Sequence, residues 1–468
     1  MSRIDLLPDD ALLEIFHFYL SARYKIKTGT EAWQTLTHVC RRWRNLVLGS
    51  PRQLDLQLYC TPQTPARDTL DVWPAFPLLI RGSMTSSMAI SSTGMVENVI
   101  AALGRSDAVR EVILWDLASL QLEKLLAPMQ ASFPALTHLQ LLSKDEIPVI
   151  PDSFLGGSAP RLRFIYLHSI SFPGLPKLLL SATQLVHLQL DCIPHSGYIS
   201  PEAIAAALPV LPSLGSLSLD FQSPQSHPDQ GSLSLPPLRR SVLPALRGFR
   251  FKGTTEFLEE LVTGIATPLL DRMEITFFNQ MNFDCPRLAQ FINNTPALRA
   301  RDEAHVQIGD RTGYVTLRSR TSKECLDGLR VNMSCRASDT QLSLSSVSQI
   351  CNTHPHPLYT VEDLYIEHNW PRIWKNDVIE AGLWLELLLP FTAVKYLSLH
   401  KEFAPGIAAA LRELVGSRIM DVLPNLQEIF MEALKLSESF QEAIGEFVAA
   451  RRLLGRPIVI SVRVKDRT

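Results

Sequence analysis

The sequence predicts an α/β chain, with a small N-terminal helical module followed by an irregular solenoid of parallel strands inside and helices outside. Three observations carry that expectation. A pattern Pro-x-Leu-x-x-Leu-x-Leu recurs through the last four hundred residues. Its closing Leu-x-Leu alternates as a strand with one buried face does. Helical stretches at Val96–Leu103, Glu256–Thr267, Gly406–Arg418 and Glu438–Leu454 fall between the strands, so that strand and helix return together at a fixed period.

The helical module spans 1–50. Leu7-Pro8-Asp9-Asp10 reads as a helix start, because Pro suits the first turn and acids there complement the helix dipole. Leu12, Ile15, Phe16, Tyr19 and Leu20 then form one apolar stripe. Thr28 and Glu31 have capping-box spacing and predict a second helix, whose stripe is Leu36, Val39, Cys40, Trp43 and Val47. Two or three short helices bury little surface alone, so their apolar faces need something to pack against. Leu7-Pro8, Leu12, Ile15-Phe16 and Leu20, followed by Leu36, Val39-Cys40-Arg41 and Trp43, resemble the F-box motif, as found in the F-box-like proteins numerous in fungi. The link from Ser21 to Thr30 is longer than that family's usual one. The resemblance implies docking to a Skp-family adaptor, and through it to a cullin. It makes Leu7, Pro8, Leu12, Ile15, Phe16, Leu36, Val39, Cys40 and Trp43 the candidate adaptor-binding residues. The alternative is that these helices only cap the domain that follows.

That domain, 51–468, carries the repeat. Twelve copies, with first apolar positions running from Val109 to Leu426, lie about 29 residues apart. Pro stands two residues before that position in seven of them, which gives the excess of 32 Pro over 22 Gly a place in the fold. Strand, turn, helix and return at this length resemble a leucine-rich-repeat solenoid. The Asn usual after the second strand leucine is missing, so an irregular solenoid is expected rather than a regular horseshoe. Leu54–Leu58 reads as an earlier strand, 222–241 as a solvent loop rich in Ser, Pro and Gln, and 299–333 as an insertion that breaks the repeat geometry. Residues 456–464 read as a closing strand.

In such a solenoid the residue between the last two apolar positions faces solvent from the sheet. Gln140, Tyr166, Gln189, Ser218, Arg250, Glu274, Tyr365, Ser398 and Phe430 occupy that column, a mixed and partly aromatic surface suited to a protein target. The candidate substrate-binding residues among them are Gln140, Tyr166, Gln189, Arg250, Glu274, Tyr365 and Phe430. A plain solvated sheet face is an equal reading at any one position.

Composition excludes several classes. Lys and Arg number 45 against 47 Asp and Glu, a net charge of −2, which argues against a nucleic-acid binder or a polybasic membrane protein. The seven Cys are scattered and contain no Cys-x-x-Cys pair, as expected of reduced thiols in the cytoplasm or nucleus. No nucleophile elbow, phosphate loop or His-Glu-x-x-His pair occurs. Cys351 with His354 and His356 is an incomplete zinc set, and Trp370–Trp374 lacks the basic surroundings of a single-strand binder. The expectation is a non-catalytic protein without a metal or cofactor. On the F-box resemblance it is the substrate-recognition subunit of an SCF-type ubiquitin ligase. On the alternative it is a repeat scaffold with a helical cap.

Overall fold

The computed structural model describes residues 6–23, 32–63, 66–73, 75–85, 91–145, 149–224, 240–278, 285–299, 301–309, 312–320, 328–334, 340–352, 358–368, 379–416, 418–432 and 438–462. The chain divides into two compact units, Met1–Gly197 and Tyr198–Thr468.

The first unit opens with helices α1 (Asp9–Arg23), α2 (Ala32–Thr37) and α3 (Arg41–Gly49). Helix α1 buries Leu12, Leu13, Phe16 and Leu20, so Leu13 takes the core position that the heptad-like stripe assigns to Ile15. The predicted second helix is two helices. Cys40 is extended (φ −159°, ψ 169°) and caps α3, its Sγ accepting the Trp43 N–H at 3.5 Å, so Leu36 and Trp43 belong to different helices. The Thr28–Glu31 spacing lies outside the described residues. The expected strand at Leu54–Leu58 is a turn, with Asp55 left-handed at φ 48°. Strand β1 (Leu58–Cys60) starts where that segment ends.

Strands β2 (Leu78–Ser83), β3 (Val109–Leu117), β4 (His138–Ser143), β5 (Phe164–His168) and β6 (His187–Ile193) follow β1 in chain order, each parallel to the one before. Parallel neighbours need a crossover. Helices α4 (Ala66–Val72), α5 (Ser92–Leu103), α6 (Ser119–Leu126) and α7 (Leu175–Leu179) serve most of these links. Leu139 and Leu141, Ile165 and Leu167, and Leu188 and Leu190 are buried, as are Val99 on α5 and Leu122 on α6.

The repeated proline has one structural job in both units. Leu136, Leu162, Leu214, Leu246, Leu270, Leu298 and Leu426 each donate their N–H to the carbonyl three residues back, at 3.0–3.4 Å. Each closure is a β-turn whose second residue is the repeat Pro, the position where a fixed φ and a missing N–H cost nothing. Leu185 and Val361 close the same turn without Pro. The turn's last residue is buried in every case, and in most copies the strand starts two residues later.

The second unit continues with α8 (Pro201–Ala207), β7 (Ser216–Phe221), β8 (Ser241–Val242), β9 (Gly248–Gly253), α9 (Thr255–Gly264), β10 (Ile265–Ala266) and β11 (Arg272–Phe278). Strands β7, β9 and β11 are parallel neighbours, and β8 pairs with β10 in a separate short ladder. Most of the loop expected at 222–241 lies outside the described residues. After α10 (Pro286–Asn294) and α11 (Pro296–Arg299) come β12 (Glu303–Ile308), β13 (Thr312–Arg318) and β14 (Gly328–Ser334). Leu298 closes the repeat turn, yet here the chain forms helix α11 and the strand waits until Glu303. Strand β13 runs antiparallel to both its neighbours, and the local order is β11-β14-β13-β12.

Helix α12 (Thr340–Asn352) then packs on these three strands and returns the chain to β15 (Asp363–His368), beside and parallel to β12. Gly313 permits the packing. A Cβ there would meet Val347 Cγ2 at 2.5 Å and the Ser343 carbonyl at 2.9 Å. Helix α13 (Ala381–Leu388), β16 (Tyr396–His400), α14 (Ala404–Arg412), β17 (Glu428–Glu432), α15 (Glu438–Leu453) and β18 (Val459–Val462) complete the unit, the strands parallel in order.

Candidate interaction surfaces

The helical module has a core of its own. Phe16 packs against Trp43 with ring centroids 4.7 Å apart, and Leu12 and Leu36 are also buried. Arg42 ties α3 to the start of α1, holding Asp9 at 2.6 Å and the Leu7 carbonyl at 2.5 Å. Trp33 joins the module to the strands that follow: its indole N–H donates to the Gln57 carbonyl at 3.0 Å, and its ring meets Trp73 and Phe76 edge-on. The rest of the motif stays on the surface. Ile15 is 51% exposed and Val39 56%, with Pro8 and Cys40 also exposed and Leu7 and Trp43 half-buried. Phe18, which the spacing of the motif does not single out, is 77% exposed.

On the first unit's sheet, Gln140, Tyr166 and Gln189 sit opposite one another on β4, β5 and β6, all half-buried. Gln189 donates to Asp191 at 2.8 Å. One step earlier on the same strands His138, Phe164 and His187 form a second row, with centroids 5.9 and 5.8 Å apart. Burial holds His138 below the usual imidazole pKa, partly opposed by Glu111.

On the second unit's sheet the column runs Ser218, Arg250, Glu274, Arg330, Thr316, His305, Tyr365, Ser398, Phe430 and Ser461. Ser218 is buried, and Arg250 pairs with Glu274 at 3.9 Å. Arg330, Thr316 and His305 come from the insertion. The antiparallel strands keep the alternation in step, so the column is continuous from Glu274 to Tyr365. The His305 and Tyr365 rings stack at 4.4 Å, 6° from parallel, and burial lowers the His305 pKa against the opposing pull of Glu367.

Beside that stack lies a cleft of about 320 Å³ lined by Arg320, Asp363, Tyr365, Tyr396, Ser398 and Phe430. Tyr365 and Phe430 flank the short Ser398 on the neighbouring strands, and Asp363 and Glu428 flank Tyr396 one row away. The Arg320 guanidinium bonds Asp363 and approaches Glu362 at 3.7 Å and Glu303 at 3.9 Å; Lys395 takes Glu362 at 2.6 Å. Burial, then the charges of Asp363 and Asp302, push the Glu303 carboxyl above its usual pKa. Sequence reading named Tyr365 and Phe430 but missed Tyr396, Asp363, Glu428 and Arg320. The first three were within reach, since they stand two residues before the chosen column on the same sheet face. Arg320 follows an antiparallel strand that no repeat spacing anticipates.

Among the described residues no group of three or more His, Cys, Asp or Glu side chains is placed to hold a metal. Cys351 is buried and its thiol pKa is pushed up by desolvation; His354, His356 and Trp370–Trp374 lie outside the described residues. No described helix is long and apolar enough to cross a membrane.

No family model and no curated protein matches the chain. Among solved structures it is similar to the leucine-rich repeat-containing protein LegL7 from Legionella pneumophila, at 11% identity and a TM-score of 0.27, over 84% of this chain and 97% of that one. The chain's own ladder of parallel strands, buried Leu-x-Leu positions and crossover helices makes the fold an α/β, leucine-rich-repeat-like solenoid.

Proposed function

We propose that the chain is a repeat-based interaction scaffold working as the substrate-recognition subunit of an SCF-type ubiquitin ligase. The N-terminal helices dock a Skp-family adaptor, and the sheet face holds a protein target. The chain performs no bond chemistry in this reading. It raises the local concentration of target near a ubiquitin-charged enzyme held elsewhere. The observation that carries the reading is the division of the F-box-like residues. Leu12, Phe16 and Leu36 are buried within the module, while Ile15, Val39, Cys40 and Pro8 are exposed and Trp43 is half-buried. Covering apolar side chains of this size yields roughly 1.5–3 kcal/mol each. An aliphatic and aromatic patch of this kind is what a hot-spot interface uses.

A second reading, a scaffold whose helices are only a cap, draws on the Trp33 contacts with Gln57, Trp73 and Phe76, which fasten the module to the following strands. Both readings share the sheet face and differ at the adaptor. Ile15→Asp with Val39→Asp alters only exposed positions, so the fold is kept. The double variant is expected to lose adaptor co-purification at least tenfold with its thermal transition unchanged. Full retention of the adaptor by the folded variant selects the cap.

A further inference from the structure

We infer that the cleft on β15–β17 takes an arginine side chain displayed by the protein target. The inference rests on the reading that this sheet face holds a target, and it does not depend on adaptor docking.

The cleft's shape comes from side-chain size along one row. Tyr365 and Phe430 stand on strands either side of the one that carries Ser398. Two strand spacings separate the ring-bearing backbones by about 10 Å, and Ser398 is too short to fill the gap. A gap of that order has room for one flat group stacked on a ring at about 3.5–4 Å. Tyr396 closes the row behind, its ring 6.4 Å from that of Phe430.

The charge around the cleft selects a cation. Asp302, Glu303, Glu362, Asp363, Glu367 and Glu428 outnumber Arg318, Arg320 and Lys395, and His305 is held toward its neutral form by burial. The aromatic faces add negative potential of their own. The chain itself already places a guanidinium at one side of the cleft, where Arg320 bonds Asp363. Outside the cleft lining, Glu428 stands two residues before Phe430 on the same face of β17, opposite Tyr396, and accepts a hydrogen bond from the Ser461 hydroxyl. A second guanidinium entering between Tyr365 and Phe430 would lie one row from Glu428, the nearest carboxylate on β17. An anionic group would face the surplus of carboxylates, and an apolar one would desolvate Glu428 without a counter-charge. Arginine fits better than lysine because the guanidinium is planar, stacks on rings and bonds a carboxylate with two donors.

The test uses the full chain and three fluorescein-labelled heptapeptides, Gly-Ser-Gly-X-Gly-Ser-Gly, with X arginine, lysine or citrulline, read by fluorescence anisotropy. Citrulline keeps the shape and removes the charge. The arginine peptide should bind saturably, about tenfold more tightly than the citrulline peptide and more tightly than the lysine peptide. Phe430→Ala and Glu428→Gln should each weaken arginine binding at least threefold, while Glu123→Gln, a carboxylate change on the exposed side of α6, should not. The inference is overturned by equal arginine and citrulline affinities, by lysine binding as tightly as arginine, by undiminished binding to the Glu428→Gln chain, or by no saturable arginine binding. The peptide comparison uses the unaltered chain, so misfolding of a variant cannot mask the answer. Adaptor co-purification from the same preparation separates this inference from the adaptor reading: arginine binding lost with adaptor kept fails only the cleft.

Discussion

Arg451 is fully buried and, among the described residues, has no carboxylate against it. Helix α15 carries it under the turn that precedes β17, where it donates to the carbonyls of Ile419, Leu423 and Pro424 at 3.4, 3.3 and 2.9 Å and contacts Met420 Sδ at 3.0 Å. Burial lowers its pKa, yet the carbonyl dipoles take the place of water. Leu423 is left-handed at φ 48°, so the guanidinium clasps a strained turn that ends on the buried repeat residue Leu426. Arg451→Met retains the apolar stem and removes the guanidinium donors from those carbonyls. It should lower stability by about 2–4 kcal/mol, read as an earlier denaturant midpoint. Arg451→Lys should rescue only part of the loss, because one ammonium cannot span three carbonyls. An unchanged midpoint in Arg451→Met would show that the turn holds without the clasp.

At the scale of elements, the decisive feature is the three-stranded insertion β12–β14 under α12. Its hairpins place β13 antiparallel in an otherwise parallel sheet without breaking the outward column. Gly313 sets how closely α12 approaches, so Gly313→Ala should cost about 1–3 kcal/mol by pushing the helix off the Ser343 carbonyl. Hydrogen exchange should then rise in α12 and β13 and stay unchanged in β4–β6. Exchange raised evenly throughout would contradict the local account.

These elements also show what was legible in the sequence. The Pro-x-Leu pattern marked turn, buried leucine and strand because Pro and Leu act there through local geometry. Ala304, Val306 and Ile308, or Leu329 and Val331, alternate and are buried, yet that alternation does not encode strand direction, since a period of two is the same for parallel and antiparallel partners. In the helical module the spacing gave the stripe but could not place the break at Cys40. Helical periodicity runs on across the three residues 38–40 between the helices, the last of which, Cys40, caps α3. Of the candidate cleft, Tyr365 and Phe430 were readable from repeat position, whereas Arg320 depends on tertiary placement alone.

For the whole molecule, nearly balanced charge conceals local specialisation. The first unit exposes an apolar patch on its helices and a row of His138, Phe164 and His187 on its sheet. The second gathers carboxylates and rings around one cleft. The most direct test of the adaptor reading is to mix the purified chain with a purified Skp-family adaptor at micromolar concentration and measure the complex by size-exclusion chromatography with light scattering. The account predicts a one-to-one complex, absent for Ile15→Asp with Val39→Asp. Elution of the unaltered chain and adaptor as separate species would contradict it.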